Sequence, residues 1–267
     1  MTFVVDDPII KLEQLVFSYG DTRAVDGISL DVGSGEILGY IGPNGAGKTT
    51  TVRILVGMLQ GFEGEAFVGG HDLRTEPLEV KRLIGYVPES AALYESLTPQ
   101  EFFTFVARVR GMNDDVSQLR SRRLLELLGM KEGYDQRISG FSKGMRQKVL
   151  LVAAMLHNPK VLFLDEPLSG LDANSVVTFK EVIQQLADRG RSIFYCSHVM
   201  DVVERVCHRI VIISKGRIVA DGTFEELQQM AEAGSLEHIF TRLTSDESEE
   251  QVASRFVEVL FEDGFDA

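Results

Sequence analysis

The stretch "GPNGAGKTT", Gly42 to Thr50, satisfies the pattern G-x-x-x-x-G-K-[ST] at every fixed position. The apolar run Ile37–Ile41 precedes it, and a helical run with Val52, Leu55, Val56 and Leu59 follows. Strand, glycine loop and helix in that order are the context the pattern requires. Gly42, Gly45 and Gly47 let the backbone curl so that amides point inward and, with the helix N-terminus, form an anion nest. The nest spans Gly42, Pro43, Asn44, Gly45, Ala46, Gly47, Lys48, Thr49 and Thr50. Lys48 would bring a mobile charge to the β- and γ-phosphates of a nucleotide, and the Thr49 hydroxyl can ligate Mg²⁺. A glycine turn with a chance lysine is the alternative, and it leaves the full pattern and its flanks unexplained.

"VLFLDEP", Val161 to Pro167, is four apolar residues followed by two acids. A buried strand there delivers Asp165 and Glu166 to its carboxyl end, where α/β sheets bind their ligands. Adjacent carboxylates in such a place need a cation or a catalytic role. Asp165 would hold the Mg²⁺ shell, directly or through water, and Glu166 could polarise the water that attacks a γ-phosphate. "YCSH" ends a further apolar run at Ser197-His198. A lone histidine is more often structural, but at the carboxyl end of a strand it could hydrogen-bond the γ-phosphate; the residues alone leave both readings open.

The buried strands expected from apolar runs are Ile37–Ile41, Val161–Leu164, Ile193–Cys196 and Ile210–Ile213. Helical patterns separate them, which predicts an α/β core with a largely parallel sheet. The clearest helix lies between Asn174 and Arg189, with Val176, Phe179, Ile183 and Leu186 on one face and Gly190 as a stop. Ile28, Leu30 and Val32 alternate with polar residues, as in an antiparallel strand with one wet face. From about Ala91 to Asn158 the pattern is helical and reads as an insertion into the core. Its start, Thr98-Pro99-Gln100-Glu101, has a capping box and proline at the first helical position. Thr223-Phe224-Glu225-Glu226 repeats the capping pattern, and after Thr244 the composition turns acidic, as in a solvated or partly disordered tail.

Across 267 residues, 44% hydrophobic and 25% charged composition suits a globular chain with a real core. A net charge of −13 argues against broad nucleic-acid binding. A local exception is "GFSKGMRQK", Gly140 to Lys148, where Lys143, Arg146 and Lys148 cluster. Such a cluster can meet nucleic-acid phosphates or form one solvated helical turn. Two cysteines, Cys196 in a strand-like run and Cys207 in a helix-like run, read as reduced core thiols. Met1 to Pro8 lacks the pattern of a signal peptide, and no apolar run approaches the ~18 residues of a membrane span. The longest, Val149 to Leu156, reads as buried. A membrane role is therefore expected to come through a partner.

Together these pieces resemble the nucleotide-binding subunit of an ABC transporter, from about Ile9 to Thr244 and in family order. Gly42–Thr50 looks like the Walker A loop, Val161–Glu166 like Walker B, Ser169-Gly170-Leu171-Asp172 like the D-loop and His198 like the switch histidine. Tyr19 in "FSYG" sits where the family stacks an aromatic ring on adenine. Phe141-Ser142-Lys143-Gly144-Met145 falls at the signature, commonly Leu-Ser-Gly-Gly-Gln, and "GYVPES" falls at the Q-loop with Glu89 replacing the usual glutamine. Both departures, and "SLEHIFTRLT" at Ser235 to Thr244, resemble a branch of bacterial exporters.

The resemblance implies a P-loop NTPase cassette: a mostly parallel RecA-like core with an antiparallel β subdomain over residues 1–90 and 159–222. A helical signature subdomain would cover 91–158, and a C-terminal helical segment with the acidic tail 223–267. It implies an ATPase using ATP and Mg²⁺, with Lys48, Glu166 and His198 catalytic and Thr49, Asp165 and Glu89 at the metal. Ser142 and the amides around Gly144 would cap the γ-phosphate of ATP held by a second ATPase subunit, in a homo- or heterodimer. A membrane-spanning permease would be the other partner, engaged near Glu89 to Leu97 on the cytoplasmic face of the membrane, with no nucleic acid expected. The rival reading is a single-cassette ATPase of the same kind that drives a soluble, division or assembly complex.

Overall fold

In the computed structural model, which describes residues 7–90, 93–231, 234–244 and 249–261, the strand leading into the glycine loop is buried along its whole length. In chain order, β1 (Ile10–Tyr19), β2 (Thr22–Val32) and β3 (Ile37–Ile41) lead to α1 (Lys48–Leu55). Next come β4 (Glu63–Val68), β5 (His71–Asp72), α2 (Pro77–Leu83) and β6 (Ile84–Val87). A helical block follows, with α3 (Pro99–Val109), α4 (Asp114–Leu127) and α5 (Lys143–Met155). The chain then returns through β7 (Val161–Asp165), α6 (Ala173–Asp188), β8 (Ser192–Cys196), α7 (Met200–Val206), β9 (Arg209–Ser214) and β10 (Arg217–Gly222). Three helices close it: α8 (Phe224–Ala231), α9 (Leu236–Thr244) and α10 (Glu249–Phe261).

The larger sheet has the order β10-β9-β3-β8-β7-β6, parallel throughout except for the edge strand β10. Near-continuous apolar strands with helices on both faces make parallel pairing the stable arrangement. The smaller sheet, β2-β1-β4-β5, is antiparallel. Ile28, Leu30 and Val32 face inward from β2, as their alternation predicts, into a core shared with β3, β8 and α1. A second core lies on the other side of the large sheet, under α6, α7, α8 and α9. A third belongs to the helical block, around Phe103, Leu125, Tyr134 and Val152. Arg209 ties the sheets together: it donates to both Asp221 carboxylate oxygens at 2.5 and 2.6 Å and to the Asp31 carbonyl of β2 at 2.8 Å.

The four expected strands are all present, and the differences lie at the edges. The helix after the glycine loop ends at Leu55, short of Leu59, because Gly57 turns left-handed with φ 70°. The helix expected from Asn174 begins at Ala173, capped by Asp172, whose carboxylate accepts from the Ser175 amide at 3.0 Å. Its buried stripe is Ser175, Phe179, Ile183 and Ala187, with Val176 and Leu186 at the margins. Cys207 follows α7 rather than lying within it. Both capping boxes form, at Thr98/Glu101 and Thr223/Glu226. The acidic tail is in part a helix, α10, whose Phe256, Leu260 and Phe261 are exposed; residues 245–248 and 262–267 lie outside the described residues.

Strand β6 has a weak sequence signal because Gly85 interrupts it. A side chain at Gly85 would put its Cβ 2.2 Å from the Ala154 carbonyl of α5, so the close packing of the helical block on the sheet demands glycine. The block therefore enters and leaves the core through β6 and β7, which are paired neighbours.

Candidate nucleotide site

Parallel register brings four strand ends to one edge of the sheet: Ile41 of β3, Val87 of β6, Asp165 of β7 and Cys196 of β8. Everything that follows those strands faces one cleft, as open α/β sheets arrange it. The glycine loop is built by close approach. An added Cβ at Gly42 would lie 2.4 Å from the Ile213 carbonyl, and one at Gly47, where φ is 108°, would lie 2.4 Å from the Ala24 carbonyl. The Gly216 amide donates to Ala46 O at 3.0 Å and braces the loop from beneath. Lys48 folds over it, with Nζ donating to the carbonyls of Gly42 at 2.5 Å and Pro43 at 3.0 Å. Those are ordinary polar partners that a phosphate oxygen can replace.

Asp165 is 3% exposed, and its Oδ2 finds no hydrogen-bond donor among the described residues. Burial, then the carboxylates of Glu89 and Glu166, push its carboxyl up to about 6. A buried, unsatisfied carboxylate oxygen beside further acids suits a hard divalent cation. Among the described residues no three His, Cys, Asp or Glu side chains form a ready cage. Magnesium takes one or two carboxylates and draws its remaining ligands from phosphates and water. Thr49 and Asp165 fit that requirement, and Glu89, exposed just beyond β6, can add a third oxygen.

Glu166 sits at φ 49°, a conformation that costs a non-glycine residue on the order of 1–3 kcal/mol. Hydrogen bonds hold it there. Its amide donates to Cys196 O at 2.9 Å. Its carboxylate accepts from the His198 amide at 2.8 Å and the Ser197 hydroxyl at 3.1 Å. His198 Nδ1 lies 2.8 Å from the same carboxylate, while its ring is 79% exposed toward the cleft. The strained turn points the carboxylate into the cleft in place of the core.

The cleft is about 760 Å³ and brings together Tyr19, the whole loop Gly42–Thr50, Glu89, Asp165, Glu166 and His198. Tyr19 stands at its rim, half exposed and edge-on to Phe17 with ring centroids 5.0 Å apart. Sequence reading missed Met200 and the α9 residues Glu237, Phe240 and Thr241, which form another wall. Nothing in the spacing of "SLEHIFTRLT" says that this helix returns to the phosphate loop.

Ser142 and Gly144 lie apart from this cleft. Ser142 is exposed and caps α5, its Oγ accepting from the Met145 amide at 3.3 Å. The three cations of "GFSKGMRQK" all have partners within the chain: Lys143 on Ser169, Arg146 on Glu95 and Lys148 on Asp172. Met145, where glutamine is commoner, packs on the core of the helical block.

A glycine loop, a buried acid and a strained glutamate at the carboxyl edge of a parallel sheet define a nucleotide-binding cassette. Residues 25–169 match the ABC transporter family model. The ABC transporter ATP-binding protein NatA of Bacillus subtilis (strain 168) is 36% identical over 219 residues, covering 82% of this chain and 89% of that one. The linearmycin resistance ATP-binding protein LnrL of the same organism is 36% identical over 219 residues, 82% of this chain and 70% of that one. A solved structure of the ATP-binding subunit of an ABC transporter superposes with a TM-score of 0.83 at 29% identity, covering 88% of this chain and 99% of the other. This chain belongs to the ABC transporter family, as an ATP-binding ATPase subunit.

Proposed function

We propose that the chain binds MgATP at a head-to-tail interface with a second ATPase subunit and powers a separate membrane permease, in the direction of export. The observation that carries this reading is the division of phosphate-binding groups into two places. Lys48, Asp165, Glu166 and His198 share one cleft, while Ser142 and Gly144 stand outside it at an exposed helix start. A group at a helix N-terminus that faces away from its own nucleotide is suited to a neighbour's γ-phosphate. No helix among the described residues is long and apolar enough to cross a membrane. In this reading the permease is a separate chain, and the ATPase docks on it at the cytoplasmic face, where ATP is supplied. Exposed Tyr94 and Phe105, edge-on at 6.0 Å, offer an apolar ledge near Glu89–Leu97 for it; residues 91–92 of that stretch lie outside the described residues. Export follows the resistance relative, LnrL.

In this mechanism Lys48 exchanges its two carbonyl partners for β- and γ-phosphate oxygens, and the loop amides of Gly42–Thr50 cradle the chain of phosphates. Tyr19 stacks on the adenine. Thr49, Asp165 and Glu89 would hold magnesium, which when bound neutralises charge on the β- and γ-phosphates. Glu166 takes the proton from the attacking water, and Ser197 and the His198 amide keep its carboxylate aimed. The exposed His198 ring contacts the γ-phosphate.

Two mixed lesions test the shared site. A dimer of Lys48→Ala and Ser142→Arg subunits contains one doubly damaged site and one intact site. Mixing is expected to give ATPase activity, or ATP-dependent association, above either parent. Ser142→Arg alone is expected to bind ATP as a monomer and fail to dimerise; hydrolysis at the wild-type rate would overturn the shared site. Glu89→Gln is expected to keep steady-state ATPase activity within about tenfold, ~1.4 kcal/mol of barrier, because either side chain offers an oxygen. Complete loss would give the carboxylate a chemical role of its own.

A further inference from the structure

We infer that Lys143 is a positioning residue for hydrolysis, strapping the segment that carries Glu166 to the first turn of α5. Lys143 occupies a signature position where glycine is common, and glycine would have no side chain to reach across. Its Nζ donates to Ser169 Oγ at 2.6 Å. Its stem lies across Gly170: an added Cβ there would come within 2.9 Å of Lys143 Cγ and 3.1 Å of Cδ. The contact is close from the other side too, since a Cβ at Gly144 would lie 2.3 Å from the Gly170 carbonyl.

Two further bonds continue the seam. Gln147 Nε2 donates to Pro167 O at 2.9 Å, and Lys148 Nζ donates to Asp172 Oδ2 at 3.1 Å. Residues 167, 169 and 172 are thus each held by the same helix, whose N-cap is Ser142. The path to the glutamate is short. The Ser169 amide donates to the Glu166 carbonyl at 3.1 Å, so Lys143 restrains the residue that closes the turn on Glu166. A residue at positive φ persists only where its surroundings over-determine it. Lys143 supplies one of those constraints and makes the signature turn and the glutamate turn move as one body. Its two companions have other duties: Gln147 is buried against a carbonyl, and Lys148 pairs with Asp172, which caps α6. Lys143 is exposed, so removing its charge leaves the fold intact.

The inference rests on Glu166 acting as the base. Lys143→Met keeps the stem and removes the ammonium. It is expected to lower kcat about tenfold, as slight misplacement of a catalytic group does, with KM for ATP within about twofold of wild type. Ser169→Ala should do the same, the double variant should be no worse than either single one, and Lys143→Arg should recover most of the rate. Wild-type kcat in Lys143→Met, or additive losses in the double variant, would overturn the strap. A raised KM with normal kcat would also overturn it and put Lys143 on nucleotide instead. Glu166→Gln measured alongside separates the two readings. If it is inactive while Lys143→Met is normal, only the strap fails; if it turns over normally, the base assignment fails and the strap with it.

Discussion

Glu166→Gln is expected to bind ATP and hydrolyse it at least about 100-fold more slowly than wild type, the scale of losing one general base. The glutamate carboxylate accepts from Ser197 and from the His198 amide, and in the proposed mechanism it also accepts a proton from water. An amide of the same shape keeps one acceptor oxygen for the His198 amide, leaves the Ser197 hydroxyl to turn toward the new NH2, and has no basic lone pair for water. Lys48, Asp165 and the glycine loop are untouched, so affinity should hold. The bound, unhydrolysed nucleotide should trap a dimer, visible as an ATP-dependent shift on size-exclusion chromatography. Phosphate release near the wild-type rate would remove Glu166 from the chemistry.

Lys48→Ala is expected to weaken ATP binding by roughly 10- to 100-fold, from the ~1.5–3 kcal/mol that a hydrogen bond to a charged group contributes. Among the described residues, Nζ hydrogen-bonds the Gly42 and Pro43 carbonyls, and both belong to a loop edge that water reaches. Folding should therefore be little affected, and the loss should appear as affinity. Equilibrium binding of a fluorescent ATP analogue, with thermal unfolding as the control, separates the two. Unchanged affinity would sink the phosphate-loop assignment.

The large sheet was legible because its strands are buried on both faces. Ile37–Ile41 and Val161–Leu164 are uninterrupted runs without charge, and the glycine loop and the acids of the proposed site follow directly at their ends. β6 was not legible, since Gly85 is dictated by Ala154 of a helix nearly 70 residues further along. The cleft's glycine loop, Asp165 and Glu166 could be read from their own segments, because backbone nests and strand ends are local, whereas Glu89 and Tyr19 were reached only through the family resemblance. The wall formed by Glu237, Phe240 and Thr241 could not, because it depends on α9 packing beside α7 and β9. The partners of Lys143, Arg146 and Lys148 were equally hidden. A cluster of charges in sequence looks alike whether it faces solvent or acids and hydroxyls brought in by another segment.

The sheet order also has a consequence for how the chain is made. β3 is flanked by β8 and β9, so Ile37 pairs with Ile193 and Leu38 with Arg209. Ordering such distant pairs is slow, whereas the helical block closes its core through nearby contacts. The Gly42–Thr50 loop leaves the ribosome well before β9, yet Ile213 packs on Gly42 and Gly216 braces Ala46. Until β9 is made, a nascent chain thus carries the loop sequence without the contacts that brace it. ATP, as a ligand of the finished loop, is therefore expected to stabilise the fold late, once β9 and the turn at Gly216 are in place.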